Sequence, residues 1–242
     1  MYSYLNQRYG LRKIIIENAT SLIKAMHKYM DQDNDVAVFS KVFRNEIDEE
    51  FRKVQSQIKE TVSDLLRIHL KGKHRLKSDE VISDQLREKI SGILLEDEWS
   101  NIIKYMYNPE DSATLVRQIK DSEHVGTEGE DQAGIEYQTF LKILLDFQLR
   151  GHERFLMRFR ELFQSVDTDR DGVVDEDQFT TLVSRVSPSR DEDEIQELLE
   201  AVDPGGTKRI TFSDSVTCLS PDIVDMMITV ARAVSSATEW EP

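Results

Sequence analysis

The 242 residues contain one cysteine, five prolines and ten glycines, and each scarcity excludes something. Cys218 has no second thiol to pair with, so no internal disulfide forms, which suits a reducing compartment. With few helix breakers and no extended alternation of β-branched residues, the expected class is all-α. Apolar runs such as Ile14 to Ile16 fall far short of the ~20 residues that a membrane-spanning helix needs. Residues Met1 to Arg8 lack the basic stretch and apolar core of a secretory signal, so the expected location is cytoplasmic, more finely cytoskeletal or ciliary. Positive charge is scarce in one half of the chain. Residues 1–120 carry 20 Lys and Arg against 19 Asp and Glu, whereas residues 121–242 carry 11 against 27, within a net charge of −15. Such a surface repels phosphate and attracts cations, which argues against nucleic acid as a partner of the second half. Histidines 27, 69, 74, 124 and 152 are scattered, and neither a phosphate-cradling glycine loop nor a zinc-ligand spacing occurs. An enzyme is therefore not expected.

What the chain does have is a run of regularly spaced acids. Asp167, Asp169 and Asp171 alternate, Gly172 follows at once, and Asp175 and Gln178 stand at the ninth and twelfth places counted from Asp167. Ca²⁺ is a hard ion that takes six to eight oxygens, and one short loop supplies them only by bending sharply around the ion. Gly172 permits the bend because it has no Cβ to clash at positive φ. The three alternating aspartates would give side-chain oxygens, Val173 a backbone carbonyl, and Asp175 a ligand directly or through water. With Phe155, Phe159, Leu162, Phe163 and Val166 before the loop and Phe179, Leu182, Val183 and Val186 after it, the stretch resembles the EF-hand, the helix-loop-helix motif shared with calmodulin. That resemblance implies a metal site at Asp167, Asp169, Asp171, Val173, Asp175 and Gln178. One departure weakens it: the bidentate glutamate of the twelfth place is here Gln178, whose neutral amide offers one oxygen. Low calcium affinity is expected, with Mg²⁺ as the other candidate ion.

Two further stretches read as degenerate hands, and a third resembles such a loop only at first. Asp203 to Asp214 begins 36 residues after the first loop, and Ile210 matches Val174 at the eighth place, but Gly205 offers no ligand and Lys208 and Arg209 bring positive charge. Glu128 to Thr139 has Ile135 at the eighth place and few ligands. Asp31, Asp33 and Asp35 alternate as well, but Val36 replaces the bending glycine and Val42 the closing acid, so an aspartate capping the next helix is the preferred reading.

The organisation expected from these elements is an N-terminal helical domain, residues 1–121, followed by an EF-hand-like domain, residues 122–242. The second would contain a degenerate hand at about 122–150, the best-matching hand at 153–187, its degenerate partner at 189–219 and a C-terminal helix at 221–236. The first would contain a helix over Leu5–Met30 and one long helix at about 36–70. Within the long helix Ile47, Phe51, Val54, Ile58, Thr61, Leu65 and Ile68 recur in four-three steps, serving either packing within the domain or a homodimer seam over residues 47–68. The basic run from Lys71 to Lys77 is a solvated turn or a contact for an acidic partner. Ser189 with Glu192 reads as a capping box. Together these features point to a calcium-responsive module that binds a protein partner, helical or cytoskeletal. The alternative is a calcium-independent adaptor that uses its hands as scaffold.

Overall fold

The computed structural model describes residues 2–74, 76, 78–122 and 134–238. Along the chain run α1 (Tyr2–Tyr9), α2 (Arg12–Tyr29), α3 (Asn34–Phe43), α4 (Phe51–Lys73), α5 (Asp79–Ile90), β1 (Ile93–Leu95), α6 (Glu96–Met106), α7 (Pro109–Lys120), β2 (Gly134–Glu136), α8 (Tyr137–Val166), β3 (Val173–Val174), α9 (Glu176–Val186), α10 (Glu192–Val202), β4 (Ile210–Thr211), α11 (Phe212–Cys218) and α12 (Ser220–Thr238). The strands form two separate antiparallel pairs, β1 with β2 and β3 with β4. The class is all-α, as the composition leads one to expect. The chain divides into two compact units, Met1–Phe51 with Gly151–Pro242, and Arg52–Arg150. This division differs from a single boundary near residue 121: the N-terminal fifty residues belong with the C-terminal hands.

The long helix expected over 36–70 is two helices. It stops at Arg44 because Asn45 takes a left-handed φ of 54°. Glu46 N–H then bonds Lys41 O at 2.9 Å and Asn45 N–H bonds Val42 O at 3.1 Å, the paired bonds of a Schellman stop. Asparagine tolerates this conformation better than most residues, and it is the signal that the apolar periodicity conceals. A second division follows the same logic, since Gly10 at φ 67° separates α1 from α2 where one helix was expected. The aspartate-rich turn before α3 is a cap. Asp33 accepts Asp35 N–H at 2.8 Å and Val36 N–H at 3.2 Å, satisfying two donors of the first turn.

In the Arg52–Arg150 unit, α4 buries Ile58, Val62, Leu66 and Leu70 against Ile82 and Leu86 of α5, Trp99, Ile102 and Ile103 of α6, Leu115 and Ile119 of α7 and Phe140 and Leu144 of α8. Each such side chain contributes about 1.5–3 kcal/mol on full burial. The buried stripe is rotated from the heptad reading: Val62 and Leu66 are at 0 % exposure, whereas Ile68 is 64 % exposed. The unit also contains a feature the sequence reading overlooked. β1 lies between α5 and α6 and pairs with β2 ahead of α8, with Leu94 opposite Ile135. A Cβ on Gly134 would collide with the Ile93 side chain and lie 2.7 Å from Leu94 O, so glycine permits the close approach. Only Ser91 and Gly92 separate α5 from β1, too few residues for alternating ligands, which is why no loop motif stands out. Glu98, almost wholly buried, accepts Leu95 N–H at 2.8 Å. The same carboxylate oxygen accepts Lys89 Nζ at 2.8 Å, and that ammonium also reaches Ile93 O at 3.3 Å. The stretch from Glu128 through 133 lies outside the described residues.

In the other unit α9 and α10 begin at reciprocal caps. The pair at α10 is Asp191 with Glu194, two residues beyond the expected Ser189 and Glu192: Asp191 Oδ1 accepts Glu194 N–H at 2.9 Å and Glu194 Oε2 accepts Asp191 N–H at 3.2 Å. Ahead of the cap, Arg190 grips Asp222 of α12 in a fork of 2.9 and 3.0 Å. Phe159 and Phe163 of α8 meet Phe212 of α11 at ring-centroid distances of 5.6 and 5.2 Å, all three fully buried. The aromatic contact fixes the first hand against the second.

Candidate metal centre

The loop from Asp167 to Gln178 leaves the end of α8, makes the β3 bridge and enters α9. Two residues carry its curvature in left-handed backbone, Arg170 at φ 57° and Gly172 at φ 85°. The bridge pairs Val173 with Thr211 and Val174 with Ile210, so the eighth places of the two loops face each other as their spacing predicts. The bend brings Asp167, Asp169 and Asp171 together, each offering a carboxylate oxygen within 4.8 Å of the others.

Backbone donors satisfy this cluster only in part. Asp167 is 6 % exposed; its Oδ2 accepts Gly172 N–H at 3.1 Å, but its buried Oδ1 has no hydrogen-bond partner among the described residues. Asp171 Oδ1 accepts Val173 N–H at 3.0 Å. Burial pushes the Asp167 carboxyl above the ordinary aspartate range against the pull of the Gly172 and Arg170 N–H groups, and Asp169 beside it adds to the upward push. A buried oxygen without a donor costs free energy, and so does the repulsion of its neighbours. A cation at the cluster removes both costs, so the residues present fit a hard divalent ion.

The later places are engaged differently. Asp175 caps α9 by accepting Gln178 N–H at 2.8 Å, while Gln178 Oε1 accepts Asp175 N–H at 3.0 Å. Gln178 Nε2 lies 3.4 Å from Thr168 Oγ1. The twelfth-place oxygen thus already serves the cap with one of its two lone pairs. The partner loop contributes positive charge: Arg209 stands 3.8 Å from Asp171 and Lys208 3.6 Å from Glu176. All four groups are substantially exposed, so these ion pairs are weak, but they oppose a cation at Asp171.

The second loop repeats the backbone without the vacancy in donors. Gly206 and Lys208 are left-handed at φ 57° and 56°, at the fourth and sixth places like Arg170 and Gly172. Asp203 Oδ1 accepts Thr207 N–H at 2.9 Å and Thr207 Oγ1 at 3.1 Å, and Oδ2 accepts Lys208 N–H at 2.7 Å. The Thr207 N–H, with Lys208 N–H and the Thr207 hydroxyl, holds the Asp203 carboxyl below the ordinary range. Asp214 is engaged on one oxygen, Oδ2 taking Thr211 N–H at 3.1 Å and Thr211 Oγ1 at 2.6 Å.

One neighbour of the first loop was not anticipated. Asn45, the residue that stops α3, donates from Nδ2 to Gly172 O at 3.0 Å. It lines, with Phe43, Phe163 and Gly172, a cavity of about 660 Å³ beside the loop. Only the rarity of an asparagine in a predicted helix interior could have drawn attention to it.

Residues 156–216 match the family model of the EF-hand domain pair, a span that runs from within α8 into α11 and includes both loops. No curated protein matches the chain. The C-terminal half therefore contains an EF-hand pair. Among the described residues, no helix is long and apolar enough to cross a membrane.

Proposed function

We propose that the protein is a calcium-responsive interaction module whose ion sits in the 167–178 loop, held by Asp167, Asp169 and Asp171 with the Val173 carbonyl and the Asp175 and Gln178 side chains completing the set. The observation that carries this reading is the buried Oδ1 of Asp167, left without a donor beside two further carboxylates. Affinity is low, and Mg²⁺ competes, because Gln178 supplies one neutral oxygen that already serves the α9 cap. Its partner is a polypeptide, and calcium acts by rigidifying the hand pair or altering the angle between its helices. To act as a switch, the ion must bind one arrangement more tightly than the other, by the full free energy of the change it produces.

A second reading is favoured by one observation. Asp203 is satisfied on both oxygens by its own loop, and Asp214 on one, so half of the pair keeps its shape without metal, as a static adaptor requires. Calorimetric titration of the whole chain with Ca²⁺ and with Mg²⁺ separates the two. The calcium reading expects heat and saturation that disappear in Asp167→Asn; a chain that takes up neither ion at millimolar concentration is the adaptor.

A further inference from the structure

Residues 44–50 join α3 to α4 without regular structure, but they are fastened at several points. Asn45 holds Gly172 O of the first loop, and Glu49 N–H donates to Ser213 Oγ, at the eleventh place of the second loop, at 3.0 Å. Between them Ile47 is completely buried, and buried Asp48 pairs with His152 Nε2 of α8 at 2.6 Å. Lys41, one turn earlier, pairs with Glu153 and Glu46. The linker is therefore a strap laid over both hands, with its own anchors on α8.

We propose that this strap positions the calcium loop and that Asn45 is the residue through which calcium and strap sense each other. The route is a chain of two hydrogen bonds through one peptide group. Asn45 Nδ2–H donates to Gly172 O, and the N–H of that same peptide group, on Val173, donates to Asp171 Oδ1. Holding one end of a planar peptide fixes the direction of the other, and successive bonds polarise each other. The strap thus sets the orientation of a ligand carboxylate before the ion arrives, lowering the ordering cost of binding. The contact is tight, since a Cβ on Gly172 would lie 3.0 Å from Asn45 Nδ2. Coupling is reciprocal by thermodynamic necessity, so an ion that binds better with the strap in place also holds the strap down.

The inference rests on calcium binding at 167–178, and its test is arranged so that the two fail separately. The informative variant is Asn45→Gly, because glycine keeps the left-handed residue that stops α3 while removing the amide. In the full chain, calorimetry is expected to show calcium affinity reduced about three- to tenfold, the worth of one ordinary hydrogen bond. Hydrogen exchange of residues 44–50 is expected to slow on calcium addition in the parent by a similar factor and to be unresponsive in Asn45→Gly. A parent that binds calcium, with a glycine variant of equal affinity and equal exchange response, overturns the role of the strap and leaves the metal site standing. A parent that binds no calcium overturns both.

Discussion

The two loops of the C-terminal hand pair have nearly the same backbone and opposite side-chain chemistry. Both turn through left-handed residues at the fourth and sixth places, Arg170 and Gly172 in one, Gly206 and Lys208 in the other. Both present an aspartate first. Asp203 collects donors on both carboxylate oxygens, whereas Asp167 holds the Gly172 N–H on Oδ2 and keeps a buried Oδ1 bare. Curvature alone therefore does not decide how the carboxylates of a loop are satisfied. The difference lies in whether the loop's own N–H groups have already done the work of an ion. In the Arg52–Arg150 unit the charge arrangement is different again, with a tethered ammonium, Lys89, lying against a buried glutamate and a β1 carbonyl.

The largest effect is expected from removing the charge at the bare oxygen. Asp167→Asn should lower calcium affinity by at least about a hundredfold, since a charge and a ligand are lost together from a site already short of both. In the absence of metal the same variant should be no less stable than the parent, because the carboxylate it removes is buried and repelled. A variant that retains calcium binding would place the ion elsewhere. Next in size is Lys89→Ala, which leaves Glu98 buried without a counter-charge and should cost about 3 kcal/mol in urea unfolding, irrespective of calcium. Adding Glu98→Gln to it should recover part of that loss. If Lys89→Ala unfolds at the parent's urea concentration, the ammonium is not a structural cation.

The clustering of Asp167, Asp169 and Asp171 around the bend at Gly172 was legible because such a loop is a local device: one short run of chain brings the three carboxylates together, so spacing alone encodes it. The apolar face of α9 was legible for the same reason, through period 3.6. The division into units was not. Asn45 stops a helix by backbone conformation within an unbroken apolar pattern, and its bond to Gly172 joins residues 127 apart. The β1–β2 pair was hidden because only Ser91 and Gly92 separate α5 from β1 and the pairing joins residues about forty apart in sequence. The amide at the twelfth place is plain in the sequence, but the service of Gln178 as half of a capping box with Asp175 depends on the geometry of the α9 entry.

That double service gives a smaller prediction. Glu in place of Gln at 178 preserves the acceptor for Asp175 N–H and adds a charge and a second oxygen. Gln178→Glu should therefore raise calcium affinity about tenfold, roughly 1.4 kcal/mol, with metal-free thermal stability nearly unchanged. Equal affinities in parallel calorimetric titrations would show that residue 178 never leaves the cap.

The smallest effect compares the two first-place aspartates directly, by pH. Asp167 is raised by burial and by Asp169, so what it contributes to metal-free stability is fully present below the ordinary aspartate value of about 3.9 and is lost as pH rises through its higher folded value. Asp203 is lowered by Thr207 and Lys208, so its contribution is present above the ordinary value and lost as pH falls through its lower folded value. Unfolding free energies in chelator across the acid range should then separate the variants on opposite sides of about pH 4. Relative to Asp167→Asn the parent loses stability as pH climbs above it; relative to Asp203→Asn the parent loses stability as pH drops below it. Slopes of the same sign for the two differences would mean that both carboxylates have the same environment, and the contrast between the loops would fail at its origin.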